Sequence, residues 1–126
     1  MDQRTVVVLG ASSKPDRMSF RAVHTLLQKG YEVIPVNPNE KKIGNSLCLP
    51  TLEAVGSQMA GPIDTITLYM NALRSTPLEP SIRALHPRRV IFNPGAENPA
   101  LKKNLEKSGI ECLEACTLVM LTINRF

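Results

Sequence analysis

The chain has 126 residues, of which 43% are hydrophobic, and its mean hydropathy is −0.06. These values are typical of one globular domain, and the length excludes a nucleotide-binding domain paired with a full catalytic domain. No apolar stretch approaches the ~20 residues needed to cross a bilayer, so we expect no membrane partner. Residues 1–4 lead directly into a predicted strand, so we expect no signal peptide and interpret residues 1–126 as a single cytoplasmic domain.

The formal net charge is +4 and the isoelectric point is 9.2, but the basic residues are scattered along the chain. Aromatic residues make up 4% of the chain, too few for a platform that stacks bases, so we expect a small polyanion rather than nucleic acid as partner. The cysteines have neither C-x-x-C spacing nor a companion pair of histidines, so the sequence predicts no disulfide framework and no metal site. We expect Cys48, Cys112 and Cys116 to be buried, reduced thiols.

Strand and helix signals alternate along the chain, which is typical of an α/β fold with a mostly parallel sheet and helices on both faces. Strands are predicted at residues 5–9, 31–36, 63–69, 90–92 and 111–113, with a short extended piece at 47–49. Helices are predicted from residue 16 or 19 to 29, from 51 to about 60, over 78–85, and from about 99 to 109. The apolar residues 117–126 do not indicate one type of element.

The first predicted helix has Phe20, Val23 and Leu27 at helical spacing, so we expect these side chains to face the core. Gly30 is expected to end this helix in the left-handed conformation. His24 lies off that apolar face. The strands contain continuous apolar runs, which predicts a sheet covered on both sides.

A loop rich in small and hydroxyl residues follows the first strand and leads into the first helix. Bare backbone N–H groups at such a helix start suit the phosphates of a nucleotide. The loop is a variant of the dinucleotide fingerprint, because only Gly10 matches, while Ser12 and Pro15 stand where the second and third glycines belong. We expect the β-branched side chain of Gly10→Val to block the approach of a pyrophosphate and to strain the turn.

The end of the second strand discriminates between nucleotides. NAD recognition uses an Asp or Glu there to accept hydrogen bonds from the ribose hydroxyls, but the chain has Asn37. Lys41 and Lys42, just beyond, are able to neutralise an additional phosphate on the ribose. The residues therefore disfavour NAD and leave NADP or coenzyme A, which carries a ribose 3′-phosphate.

The chain offers no clear catalytic constellation. His24 and His86 have no serine or cysteine nucleophile evidently attached to them, and we expect both to be structural or solvated. Glu97, beside the turn at Gly95, is a candidate general acid or base, but the helix dipole also favours a carboxylate in the first helical turn, and we expect this second role. Cys116 is expected to be a buried core residue rather than a thiol presented to a thiol-bearing ligand. We therefore assign no catalytic residue.

Four segments in order along the chain carry a resemblance to a known family: Val7–Ser12 with Lys14–Pro15, Val36–Asn39 with Ile43–Gly44, Asn93–Asn98, and Cys116–Met120. Together they resemble the small stand-alone CoA-binding proteins, which look like the N-terminal domain of the succinyl-CoA synthetase alpha subunit. The resemblance covers nearly the whole chain. It implies a three-layer, Rossmann-like fold.

The resemblance also implies the ligand contacts. Those around the CoA diphosphate are Gly10, Ala11, Ser12 and Ser13, with Lys14 and Arg17 near its phosphates and Ser19 at the start of the helix. Those flanking the adenosine are Val36, Asn37 and Pro38. Those beside the nucleotide or the pantetheine arm are Tyr69, Met70 and Asn71, with Gly95 at the inner end of the crevice. The family often has a small or apolar residue and a proline where this chain has Tyr69–Met70–Asn71.

The resulting hypothesis is a module that binds CoA or acyl-CoA and is not catalytic by itself, because the chain lacks the further domain that carries the synthetase's phosphorylated histidine. Two alternatives are an NADP-binding redox module and a subunit that presents CoA to a separate acyl-CoA ligase. A third is a structural protein that keeps the fold without the ligand. The oligomeric state stays open, and a homo-oligomer is compatible with the sequence.

Overall fold

The computed structural model describes residues 4–59 and 61–126. The expectation that the chain begins without a signal peptide concerns residues 1–3, which lie outside the described residues. None of the helices in the described residues is long and apolar enough to cross a membrane.

Strands and helices alternate as the sequence predicts. The strands are β1 (Thr5–Leu9), β2 (Glu32–Val36), β3 (Lys42–Ile43), β4 (Ser46–Leu47), β5 (Thr65–Leu68), β6 (Arg89–Phe92) and β7 (Glu111–Glu114). The helices are α1 (Met18–Gln28), α2 (Leu52–Gln58), α3 (Ala72–Ser75), α4 (Glu79–Leu85), α5 (Pro99–Lys107) and α6 (Thr117–Thr122), and a 3-10 turn (Thr76–Leu78) joins α3 to α4.

Five strands form one parallel sheet in the order β2-β1-β5-β6-β7, and β3 and β4 form a separate antiparallel ribbon. The strand order reverses at β1, because the chain first moves outward to β2 and then returns to place β5 on the other side. In open α/β sheets, ligands bind outside the carboxyl ends of the strands at such a reversal. The topology therefore predicts a ligand site at the ends of β1 and β5.

The sheet is covered on both faces, as the apolar runs predict. Alternate residues of β1 point to opposite sides, with Val6 and Val8 packed beneath α1 and α6, and Val7 and Leu9 in the core with α2, α4 and α5. All four of these side chains are at most 3% exposed. The predicted three-layer α/β architecture is confirmed.

The buried face of α1 differs from the prediction. Leu27 is 44% exposed, and Phe20 is only half-buried. The side chains that α1 buries are Ser19, Ala22, Val23 and Leu26. This face contains Ser19 and Ala22, which carry no strong hydrophobic signal. The spacing of the large apolar residues alone therefore placed the predicted buried face about one residue away from the observed one.

Three short elements have no counterpart in the predictions: α3, α6 and the β3–β4 ribbon. Their helices and strands are six residues long or shorter, which is too short for a periodic pattern of apolar residues. The predicted extended piece at 47–49 is partly present, since Leu49 makes a single bridge to Val36. Cys48 and Cys112 are buried and reduced as expected, whereas Cys116 is only half-buried.

Asn93 joins three elements below the carboxyl edge of the sheet. Its Nδ2 donates to the Thr67 hydroxyl at 2.7 Å and to the Leu68 carbonyl at 3.0 Å, and its Oδ1 accepts from the Thr117 amide at 2.9 Å. The side chain is 2% exposed. Asn93 therefore ties β5 and α6 to the end of β6.

We expect Asn93→Ala to lower the free energy of unfolding by about 2–3 kcal/mol, because it leaves the buried Thr117 amide without its acceptor. Urea denaturation measures the change. Asn104→Ala is the matched control, since Asn104 makes an exposed hydrogen bond to Glu79 and should cost less than about 0.5 kcal/mol. Equal losses in the two variants would contradict the structural role of Asn93.

Candidate functional site

Two adjoining hollows open at the point where the strand order reverses. The first, here called the apolar cavity, has a volume of about 270 Å³. Its lining is Leu9, Gly10, Val36, Asn37, Pro38, Pro50, Thr51, Leu52, Glu53, Tyr69, Met70, Arg74 and Leu78. The second, here called the polar cleft, has a volume of about 550 Å³. Its lining is Gly10, Ser12, Lys14, Asp16, Arg17, Met18, Ser19, Asn37, Tyr69, Met70, Asn71, Arg74, Pro94, Gly95 and Ala96.

The two hollows form one continuous crevice, because they share the residues Gly10, Asn37, Tyr69, Met70 and Arg74. Four of the shared residues follow the ends of β1, β2 and β5, which the parallel sheet brings to one edge, and the fifth, Arg74, lies on α3. One side of the crevice is mostly apolar, and the other carries hydroxyls and cations. This pairing suits a nucleotide with a charged substituent.

The structure brings most of the predicted ligand residues to this crevice. Those that line it are Gly10, Ser12, Lys14, Arg17, Ser19, Val36, Asn37, Pro38, Tyr69, Met70, Asn71 and Gly95. Two predicted residues lie elsewhere. Ala11 is fully buried in the core beneath α1, and Ser13 is turned toward Glu40.

The turn that leaves β1 is closed by a single carbonyl oxygen. The amides of Gly10 and Ala11 both donate to the Val36 carbonyl, at 3.0 and 3.2 Å. These two N–H groups are therefore not the bare donors that the sequence led us to expect. They hold the end of β1 against the end of β2.

Gly10 is required by its conformation and by a close backbone contact. Its φ is +88°, and a Cβ added there would stand 2.7 Å from the carbonyl oxygen of Tyr69. The expected tight turn at this glycine is confirmed, and the close approach of the backbone just after β5 adds a second requirement for it.

Open N–H groups do occur nearby, at the start of α1. The N-cap residue Arg17 makes no side-chain capping bond, and the first turn of the described helix contains no acidic residue. The first amides of an α-helix have no partner within the helix and carry its positive dipole end. Lys14, Arg17 and Ser19 line the polar cleft at this end. The arrangement suits a phosphate or diphosphate.

The loop between β1 and α1 is braced from behind by a carboxylate. The Ser13 amide donates to Glu40 Oε2 at 2.8 Å. Hydrogen bonds from the Ser13 hydroxyl and amide, with the nearby charge of Lys14, hold the pKa of Glu40 below its ordinary value. Glu40 lines neither hollow, so it fixes the loop and does not face a ligand.

Asn37 makes a second brace between the same loops. Its Nδ2 donates to the Ala11 carbonyl at 2.7 Å, and its Oδ1 accepts from the Asn39 amide at 2.8 Å. Both ends of the side-chain amide are therefore used within the chain. Lys41 and Lys42, expected beside the ribose, are exposed and line neither hollow.

The segment after β5 forms the floor between the two hollows. The Tyr69 amide donates to the Leu9 carbonyl at 2.9 Å, and burial raises the pKa of the phenol to about 12, so Tyr69 stays neutral. Asn71 caps α3, since its Oδ1 accepts from the Arg74 amide at 3.0 Å. Arg74 lines both hollows, although no motif of the sequence indicated it.

The inner end of the polar cleft is formed by the turn after β6. Gly95 has a φ of +90°, and its amide donates to Glu97 Oε1 at 2.9 Å. Glu97 precedes Asn98, the N-cap of α5, so the prediction that it stands in the first helical turn is wrong. The N-cap is filled by the Asn98 side chain, which accepts from the Leu101 amide.

The two histidines considered for catalysis line neither hollow. His24 is exposed on α1, and His86 ends α4 in the left-handed conformation beside a different, shallow hollow. Burial raises the pKa of the thiols of Cys48 and Cys112, the latter to about 11, which keeps both protonated. The described residues contain no group of three metal-ligating side chains.

The pattern of the CoA binding domain family matches residues 4–122. The chain belongs to the CoA-binding domain family. The Bacillus subtilis (strain 168) protein named Uncharacterized protein YneT is 32% identical over 66 residues, which are 52% of this chain and 46% of that protein. The match thus spans less than half the length of this curated relative.

Solved structures show the same fold. A crystal structure titled only as an uncharacterized protein is 32% identical, has a TM-score of 0.88 and matches over 100% of both chains. The Thermus thermophilus protein cell-free ID.343 is 25% identical with a TM-score of 0.85, over 98% of this chain and 91% of that one. A dinucleotide-forming acetyl-coenzyme A synthetase of Ca. Korarchaeum cryptofilum, solved with phosphate and ADP, is 17% identical with a TM-score of 0.70, over 88% of this chain and 25% of that one.

In this CoA-binding domain, we expect Gly10→Ala to be more destabilising than Gly109→Ala. Both glycines have nearly the same φ, +88° and +86°, but a Cβ at Gly109 meets nothing within 4 Å. Gly109→Ala should cost about 1 kcal/mol for its left-handed conformation, and Gly10→Ala at least about 1 kcal/mol more for the contact with Tyr69. Thermal or urea denaturation of the two variants checks this. Equal costs would show that the backbone contact is not tight.

The hydrogen bond between Ser13 and Glu40 should depend on pH in a defined direction. Because the pKa of Glu40 is lowered in the folded chain, the bond persists at neutral pH and is lost as the pH falls through that lowered pKa. We expect the amide resonance of Ser13 to titrate with a midpoint below 4.5, the ordinary value for glutamate. Glu40→Gln should abolish this titration. A midpoint at or above 4.5 in the unchanged protein would refute the assignment.

Proposed function

We propose that this chain binds coenzyme A or an acyl-CoA in the crevice formed by the apolar cavity and the polar cleft. The proposal rests on one observation above all: the uncapped start of α1, flanked by Lys14 and Arg17, opens into a crevice that continues into the apolar cavity. Membership of the CoA-binding domain family supports it.

Each chemical part of CoA has a matching region. The diphosphate fits the start of α1, where backbone donors and two cations converge. The adenine fits the apolar cavity, whose walls include Val36, Pro38 and Leu52. The pantetheine arm then extends through the polar cleft toward Gly95. The net charge of +4 is compatible with a ligand that carries roughly four negative charges.

We further propose that the chain acts as a single-domain binding module and has no catalytic activity alone. The groups that line the crevice in the described residues include the carboxylates of Asp16 and Glu53 but no thiol and no imidazole. The Glu53 carboxylate is engaged by the Ser81 hydroxyl. The reduced cysteines agree with a location in the cytoplasm.

Two other functions use the same crevice. An NADP-binding redox module would also place a diphosphate at α1 and a ribose phosphate near a cation. A subunit that presents CoA to a separate acyl-CoA ligase would bind the same ligand and differ only in its partner. The acetyl-CoA synthetase structure with the same fold favours the second of these, because there the matched region is 25% of a larger chain.

The ligand is tested by thermal stabilisation with CoA, dephospho-CoA and NADP. A ligand at ~100 times its Kd should stabilise the chain by about 2.7 kcal/mol. We expect CoA to stabilise at the lowest concentration. Lys14→Gln and Arg17→Gln should each weaken CoA binding about tenfold by removing a charge from the diphosphate end, as measured by calorimetry.

Lys103→Gln is the matched control, because Lys103 is exposed on α5 and lines neither hollow. It should leave the affinity for CoA unchanged. Equal stabilisation by all three nucleotides would count against CoA as the specific ligand. If none of the three nucleotides stabilises the chain, the proposed function is wrong.

A further inference from the structure

We propose that Arg74 is the residue that binds the ribose 3′-phosphate of CoA and so distinguishes CoA from dephospho-CoA. This inference rests on the proposed function and deepens it. In CoA the ribose lies between the adenine and the diphosphate, so it must occupy the passage between the apolar cavity and the polar cleft. Of the five residues that line both hollows, Arg74 alone is charged.

The position of Arg74 is fixed by its backbone. Its amide donates to the side chain and to the carbonyl of Asn71, the N-cap of α3, at 3.0 and 3.1 Å. The next residue, Ser75, is fully buried, and its hydroxyl accepts from Asn98 at 2.9 Å. The helix that carries Arg74 is thus anchored on both sides of it, while the guanidinium itself remains exposed at the rim.

The guanidinium of Arg74 is available to a ligand. The ion pairs of the described residues involve Arg4, Arg83 and Arg88, and none involves Arg74. Glu53, the acidic residue that lines the apolar cavity, accepts a hydrogen bond from the Ser81 hydroxyl. An arginine fork binds a phosphate through two parallel hydrogen bonds, which gives it both charge and geometry for a terminal phosphate.

The other cations of the region are placed for different parts of the ligand. Lys14 and Arg17 line the polar cleft only, beside the start of α1, and therefore face the diphosphate. Lys41 and Lys42, which the sequence suggested for the ribose phosphate, lie outside both hollows. Lys42 belongs to the β3–β4 ribbon. Arg74 is the cation that remains at the passage where the ribose must lie.

The test compares the Kd of CoA with that of dephospho-CoA, two ligands that differ only in the 3′-phosphate. Calorimetry at one fixed ionic strength is needed, because exposed charges are screened by salt. We expect the unchanged protein to prefer CoA about tenfold and Arg74→Gln to reduce that preference to about one. The Kd of dephospho-CoA should change less than about twofold. Arg74→Lys keeps the charge without the fork and should leave an intermediate preference.

Lys41→Gln and Lys42→Gln are the matched controls and should keep the full preference for CoA. The inference is overturned if Arg74→Gln keeps that preference. It is also overturned if this variant weakens the binding of both ligands equally, because Arg74 would then contact the diphosphate that they share. It is also overturned if the unchanged protein binds both ligands with equal affinity, although CoA binding itself would then stand. If the unchanged protein binds neither ligand, the proposed function fails together with this inference.

Discussion

The shape of the crevice depends on one carbonyl oxygen, that of Val36, which accepts hydrogen bonds from the amides of both Gly10 and Ala11. This pair of hydrogen bonds joins the ends of β1 and β2 and turns the chain sharply toward α1. The turn needs a left-handed residue, and the β5 backbone at Tyr69 comes so close that no side chain fits on Gly10. As a result the amides of Gly10 and Ala11 serve the fold, whereas the first amides of α1 remain open to an anion.

Much of the fold was readable from the sequence, because long apolar runs and regular spacing report elements that bury many side chains. The bounds of β1 and the covering of both sheet faces follow from such runs. The buried face of α1 did not, since Ser19 and Ala22 contribute to it and carry no hydrophobic signal. Short elements such as α3 depend on a single cap, here Asn71, and a lone asparagine after a strand is equally typical of a plain turn.

The sequence predicts which loops form the crevice, but not which atoms of those loops face a ligand. Parallel strands bring their carboxyl ends to one edge whatever the loop residues are, so most of the expected residues line it. Which atoms face inward depends on hydrogen bonds across long sequence separations. Ser13 is turned away by Glu40, 27 positions later. Arg74 is brought in by a helix that the sequence did not predict, and an isolated arginine carries no motif.

The choice among nucleotides depends on where carboxylates stand near the end of β2. The sequence argument against NAD was that Asn37 replaces the acidic residue that accepts from the ribose hydroxyls. The structure adds that a carboxylate does occur in the same loop, since Glu40 follows Asn37 closely. Its oxygen is engaged by the Ser13 amide, and it lines neither hollow, so it cannot act as the missing acceptor. The acid of this loop therefore braces the turn after β1, and the charge shared by the two hollows is the positive charge of Arg74, which suits a ribose phosphate better than the free ribose hydroxyls of NAD.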